Sequence, residues 1–332
     1  MSAISAPPPQ ALQGPLLAAV SRSFYLSLRF LPPPVRGPLS VSYLLARAAD
    51  TIADVEASPA PERIALLDAL GAAMQNEAQP VPGFLEEVRE FSDRVEHAGE
   101  RELLERLEEC FGQWRKLSEG SRGKVQEVMS HILRGMKLDL ERFPDASRLR
   151  CLEAAGELEE YTWLVAGCVG GFWTEVCHLE LPGVFKRGVE EVSALGQAYG
   201  KGLQLINILR DQAGDAKLGR CYLPRELLQA AGLQGPVIWP AADWRPWHRV
   251  RQDLIGKARG GLAEGWKYAD SLRSVRLRFA VLMPLLIGEA TLARMEALPA
   301  DGPPGAVKIS RPEVKKLVRK ALWMALTGRI RR

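Results

Sequence analysis

The chain is poor in the residues that build soft-ligand metal centres. Its 332 residues include four histidines, His97, His131, His178 and His248, and no His-x-x-x-His pair, so no zincin-type motif is present. The five cysteines, Cys110, Cys151, Cys168, Cys177 and Cys221, are odd in number and form no Cys-x-x-Cys. That argues against a disulfide framework and a thiolate zinc site, and fits reduced thiols in a cytoplasmic protein. No Gly-x-Gly-x-x-Gly follows a strand-like run, so no Rossmann site is expected. The N-terminus MSAISAPPPQALQGP lacks both a charged and an apolar segment, and no signal peptide is expected. The longest nearly uncharged run, Phe279 to Ala293, carries Glu289 and Pro284; it is short for a membrane span and suits a buried core helix. Net charge is only +4, with bases and acids mostly interspersed, which gives no case for nucleic acid as a partner.

Alternation of apolar and polar residues is also missing. Helical periodicity takes its place, as in Leu44, Leu45, Ala48 and Ile52, or Leu203, Ile206 and Leu209. An all-α chain of about ten helices in one domain is expected. Gly and Pro gather at Ala6 to Pro15, Gln79 to Gly83, Gly232 to Pro246 and Leu298 to Gly305, which read as an N-terminal arm and loops. The expected organisation is a flexible arm over residues 1–15, a main helical domain over 16–305 and a basic tail over 306–332.

Two Asp-x-x-x-Asp pairs stand out, Asp50 with Asp54 and Asp211 with Asp215. In a helix, residues four apart lie about 40° apart around the axis and about 6 Å along it, so each pair shares a face. One such pair alone reads as a solvated face. Here Tyr43 and Arg47 precede the first, and Gln204 and Asn207 the second, at spacings of three and four, among mostly apolar neighbours. Carboxylates in such surroundings are expected to be buried, and burial is costly unless they are paired or metal-bound. Hard Mg²⁺ favours oxygen ligands and commonly links carboxylates to phosphate oxygens. Arg22, Arg47, Arg210 and Arg220 lie near the two stripes and suit phosphate, or else neutralise the acids structurally.

Five segments, in order, carry a resemblance: SRSFYLSLRFLP, YLLARAADTIAD, YTWLVAGCVG, GKGLQLINILRDQAGD and GRCYLP. Together they resemble the squalene/phytoene synthases from about Ser21 to about Lys316. The resemblance implies an all-α, single-domain class I terpenoid synthase bundle around a central cavity, with Asp50, Asp54, Asp211 and Asp215 as metal ligands acting on substrate diphosphate. It implies Tyr161 near the reacting carbons, and Ser21, Arg22, Arg47, Gln204, Asn207, Arg210 and Arg220 on the diphosphate side. Phe24 and Phe279 are candidates for an apolar wall around carbocations, and small residues such as Ala166, Gly167, Gly170 and Gly171 serve either substrate tails or close helix packing.

The chemistry so implied joins two farnesyl diphosphates head to head through presqualene diphosphate. FAVLMPLLIGEATLA and GAVKIS look like the squalene branch, which implies reduction with NADPH held by Lys308 and Arg311. The alternatives are the phytoene and dehydrosqualene branches, which lack the NADPH step, and a non-catalytic helical scaffold. Lys308 to Arg332 holds nine basic residues and one acid, Glu313, with an apolar face of Val314, Leu317, Val318, Ala321, Leu322 and Ala325 and Trp323 nearby. A basic amphipathic helix of this kind is expected to make peripheral contact with the inner face of a membrane.

Overall fold

The computed structural model describes residues 12–21, 24–75, 83–235, 244–299 and 307–330. The chain divides into two compact units, Met1–Glu141 with Phe172–Val184, and Arg142–Gly171 with Phe185–Arg332. Among the described residues the architecture is helical apart from one two-residue ladder and an isolated bridge, as the missing alternation predicts.

In the first unit a π-helical turn, Leu12–Leu16, leads into α1 (Leu17–Ser21), α2 (Phe24–Phe30), α3 (Pro33–Asp54), α4 (Ala60–Gln75), α5 (Phe84–Ser92), α6 (Ala98–Glu105), α7 (Leu107–Arg115) and α8 (Glu119–Arg142). Residues 1–11 of the expected arm lie outside the described residues; from Leu12 the chain is helical, with Leu12 and Leu16 buried. Helix α3 begins on prolines, whose fixed φ suits the first helical turn. Its predicted core stripe of Leu44, Leu45, Ala48 and Ile52 is fully buried, and α3 packs on α4, α6 and α7. It stops where Val55 turns extended, which leaves Asp54 as its last residue.

The second unit follows with β1 (Arg150–Cys151), α9 (Ala155–Thr162), a π-helical turn (Trp163–Gly167), α10 (Cys168–Glu180), α11 (Val189–Lys217), β2 (Arg220–Cys221), α12 (Arg225–Ala230), α13 (Arg245–Ser271), α14 (Val275–Glu296) and α15 (Arg311–Thr327). The segment of α10 from Phe172 onward belongs to the first unit. There are more segments than the ten expected; the break at Arg106 and the π turn at Trp163–Gly167 are two of the divisions. All five cysteines are unpaired.

Helix α11 packs against the π turn, α13 and α14. The approach is at backbone level. A Cβ on Gly170 would lie 2.0 Å from the Gly196 carbonyl oxygen, and one on Gly200 2.3 Å from that of Ala166. The small residues of YTWLVAGCVG are therefore taken up by helix packing. On the other side of α11, Gly202 meets Gly261 of α13, where a Cβ on Gly202 would lie 2.8 Å from the Gly261 Cα. β1 and β2 pair in parallel, Arg150 with Arg220 and Cys151 with Cys221. The turn into β2 needs Gly219: its φ is +75°, and a Cβ there would lie 2.6 Å from the Asp145 carbonyl oxygen.

Candidate active site

In the first unit, Tyr43, Arg47, Asp50 and Asp54 follow one another along the C-terminal half of α3. Arg47 donates to the carboxylate of Asp50 and, with its other terminal nitrogen, to Glu100 of α6. The Tyr43 hydroxyl donates to the Val20 carbonyl at 3.1 Å. Burial among protein atoms and the adjacent Asp54 carboxylate push the Asp50 carboxyl up to about 7, against the opposing pull of Arg47. Its side chain is nonetheless 40% exposed, so one side meets water, which screens the shift.

In the second unit, Gln204, Asn207, Arg210, Asp211, Gln212 and Asp215 occupy about the last four turns of α11. Asn207 Nδ2 donates to Gln204 Oε1 at 3.3 Å, and Arg210 grips Asp211 with two nitrogens, Nε at 2.8 Å. Asp215 lines an open recess with Ile208, Gln212, Arg220, Tyr222 and Trp247. Gln212 Oε1 is buried there without a hydrogen-bond partner. The parallel ladder places Arg220 and Tyr222 at this recess. The Tyr161 ring stacks on that of Tyr222 at 4.8 Å, with the two hydroxyls 3.4 Å apart. Tyr161 is thus one aromatic layer behind the recess that Asp215 lines.

The expectation of four buried carboxylates is corrected. Asp54 and Asp211 are exposed, and Asp50 and Asp215 half-buried. The physical reason is their place in the chain: both pairs sit at the C-terminal ends of long helices, where the elements run out into solvent. That position still disfavours anions. Each helix end carries partial negative charge, so acids gathered there are repelled by the helix as well as by each other. Both ends are predisposed to a cation.

A family model described as squalene/phytoene synthase matches residues 17–313. The chain belongs to the squalene/phytoene synthase family. Among curated relatives of the family, the presqualene diphosphate synthase of Zymomonas mobilis is 28% identical over 327 residues, covering 95% of this chain and 91% of that one. The presqualene diphosphate synthase of Rhodopseudomonas palustris is 27% identical over 325 residues, covering 94% and 95%. The solved structure of TcSQS with the ligand BPH1237 superposes with a TM-score of 0.72 at 20% identity, covering 95% of this chain and 87% of that one, a likeness of fold. The fold is the all-α terpenoid synthase bundle.

The remaining family positions fall as follows. Ser21 is 2% exposed and its hydroxyl donates to the Leu17 carbonyl one turn back, so its proton is engaged within its own helix. Arg22 and the side chain of Phe24 lie outside the described residues. Phe279 is buried in α14. Lys308 and Arg311 are exposed at the start of α15.

Three residues at the two clusters escape sequence reasoning. Glu100 is fifty positions from Asp50 and carries no motif; only the packing of α6 against α3 brings it to Arg47. Tyr222 lay in plain view in GRCYLP, and its signal was an aromatic two residues after Arg220. Gln212 sits between the two acids of the second motif. Glu100→Gln is expected to lower activity about 10- to 100-fold, the loss typical when a group that orients a metal-binding shell is removed. Initial rates across a Mg²⁺ titration check this: the variant should need more Mg²⁺ for half-maximal rate, with α6 still folded by circular dichroism.

Proposed function

We propose that this chain condenses two farnesyl diphosphates head to head, with divalent metal, and releases presqualene diphosphate. The observation that carries the reading is the pair of Asp-x-x-x-Asp motifs at the C-terminal ends of α3 and α11, each next to an arginine that grips one of its acids. The near full-length similarity to two proteins named presqualene diphosphate synthase supports it.

The donor set fits Mg²⁺. Every candidate ligand is oxygen: Asp50 with Asp54, Asp211 with Asp215, and the unpartnered Oε1 of Gln212. No group of three or more His, Cys, Asp or Glu side chains able to hold a metal exists among the described residues. Two carboxylates per site suit an ion that keeps water and takes substrate phosphate oxygens. When bound, Mg²⁺ supplies charge stabilisation for the departing diphosphate.

The protein's own residues do the rest. Arg47, held by Glu100, and Arg210, held by Asp211, present guanidinium forks suited to phosphate oxygens. Departure of diphosphate from one farnesyl group leaves an allylic cation. The double bond of the second molecule attacks it, and loss of one proton closes a cyclopropane ring. The Tyr161–Tyr222 pair is the nearest hydroxyl relay to the recess, but a neutral phenol is a weak base, and the released diphosphate serves as well.

NADPH held by Lys308 and Arg311, both exposed, belongs to a second reading. Glu313 caps the start of α15, accepting from the Ser310 N–H at 3.0 Å while its own amide faces the Ser310 hydroxyl. A cofactor phosphate there would rest on the Lys308 and Arg311 side chains rather than on the capped helix end. That second reading, continuation to squalene, rests on the likeness of the α14 segment Phe279 to Ala293 to the squalene branch. Incubation with farnesyl diphosphate and Mg²⁺, with and without NADPH, separates the two by mass spectrometry. Presqualene diphosphate is expected in equal amounts either way. Squalene formed only with NADPH would establish the second reading, and a conjugated triene formed equally with or without it would place the chain in the phytoene branch.

A further inference from the structure

Helix α15 has two faces, and they differ from the sequence expectation. Ala321, Met324 and Ala325 are buried, and the helix packs on α14. Much of the apolar stripe read from the sequence is thereby consumed. A second apolar strip remains outside. Leu322 is 41% exposed, Trp323 53% and Leu326 63%. Helical geometry puts these three on the side away from Ala321 and Met324, along with Lys315, Lys316 and Arg319, and puts Lys320 at the margin of that side, one turn before Met324; all four cations are exposed. The outer face is thus divided along its length, with cations over its first part and apolar groups over its last, spread over about 16 Å.

The apolar end continues onto the neighbouring helix. Arg278, near the start of α14, donates Nη1 to the Ala325 carbonyl at 3.0 Å. The start of α14 therefore adjoins the end of α15, which brings exposed Val275 to the same end, together with exposed Arg273, Arg276 and Arg329. The only acid of α15, Glu313, lies at the opposite end, engaged by Ser310 and Arg294. No helix among the described residues is long and apolar enough to cross a membrane.

We infer that the end of the α14–α15 pair is a docking surface for an anionic bilayer, with Leu322, Trp323 and Leu326 entering the headgroup region and Lys316, Arg319 and Lys320 resting on the phosphates. Charge complementarity selects this occupant. An apolar strip alone would suit a second copy of the chain, but a second copy would bring its own cations against these. An amphipathic aromatic bordered by bases suits the interface of an anionic membrane.

Flotation of the full chain tests this with vesicles of phosphatidylglycerol mixed with phosphatidylcholine, and with phosphatidylcholine alone. Binding is expected to the anionic vesicles only. Arg319→Gln and Lys320→Gln should each weaken it about fivefold. Trp323→Ser with Leu326→Ser should weaken it at least about tenfold. All these side chains are exposed, so melting curves and condensing activity in detergent solution should match the wild type. The inference is overturned if the wild type does not float, or if both sets of variants float as it does. It is equally overturned if the wild type is a dimer by light scattering that Trp323→Ser with Leu326→Ser converts to a monomer, because the strip would then be a subunit contact. Activity is read separately, so failure here leaves the proposed reaction untouched.

Discussion

Asp50→Asn is expected to cut condensing activity by about 10²- to 10³-fold, the range for loss of one group that stabilises developing charge, while the apo fold becomes no weaker. Asp50 ends a stripe on α3, close to Asp54 and near the negative end of the helix. Its carboxyl is raised to about 7, first by burial and then by Asp54, whereas an unfolded chain holds it near about 3.9. A raised carboxyl stabilises the fold fully below the unfolded value and loses that contribution as pH rises through the folded one. Wild-type apo protein should therefore lose stability between about pH 4 and about pH 7 through this group. Asn carries no charge at any pH. The melting temperature of the variant should exceed that of the wild type at pH 8, and the gap should shrink toward pH 4. Mg²⁺ should raise the wild-type transition more than that of the variant. A variant that unfolds at room temperature, or one with full activity, would sink the metal-ligand assignment. Asp211→Asn should behave alike in activity, since its carboxylate is held in the same way by Arg210.

Gly170→Ala should destabilise the protein by about 3 kcal/mol or more, the upper part of the range for overpacking. The new methyl would lie 2.0 Å from the Gly196 carbonyl oxygen, 2.3 Å from its carbon and 2.9 Å from the Gln197 nitrogen. All three are backbone atoms of α11, so no side chain can swing aside. Either α10 or α11 must shift, and α11 carries the second acidic motif, so activity should fall with stability. Gly260→Ala is the contrast. Gly260 lies mid-helix in α13 with nothing within 4 Å of its would-be Cβ, and the change should stabilise by up to about 1 kcal/mol through helix propensity. Urea unfolding midpoints for the two variants read both effects. Equal midpoints would mean that α10 and α11 do not meet at backbone distance.

Much of the site was legible because the informative patterns are local. The i, i+4 acids, the preceding Tyr43–Arg47 and Gln204–Asn207, and the order of five motifs all lie along single helices, and helical geometry converts such spacing into shared faces. The buried stripe of α3 and the core helix around Phe279 were of the same kind.

Tertiary structure decided what depends on contacts between distant segments or on where a helix ends in space. Glu100 reaches Arg47 only because α6 packs on α3, and Tyr161 meets Tyr222 only because the ladder at Arg220 ties two segments seventy residues apart. Whether the acids are buried could not be read from apolar neighbours, because periodicity gives the side of a helix that faces inward but not how far the core extends along it. The same limit applied to α15. Its apolar residues cover more than one face, and α14 covers only one of them, which left Leu322, Trp323 and Leu326 outside.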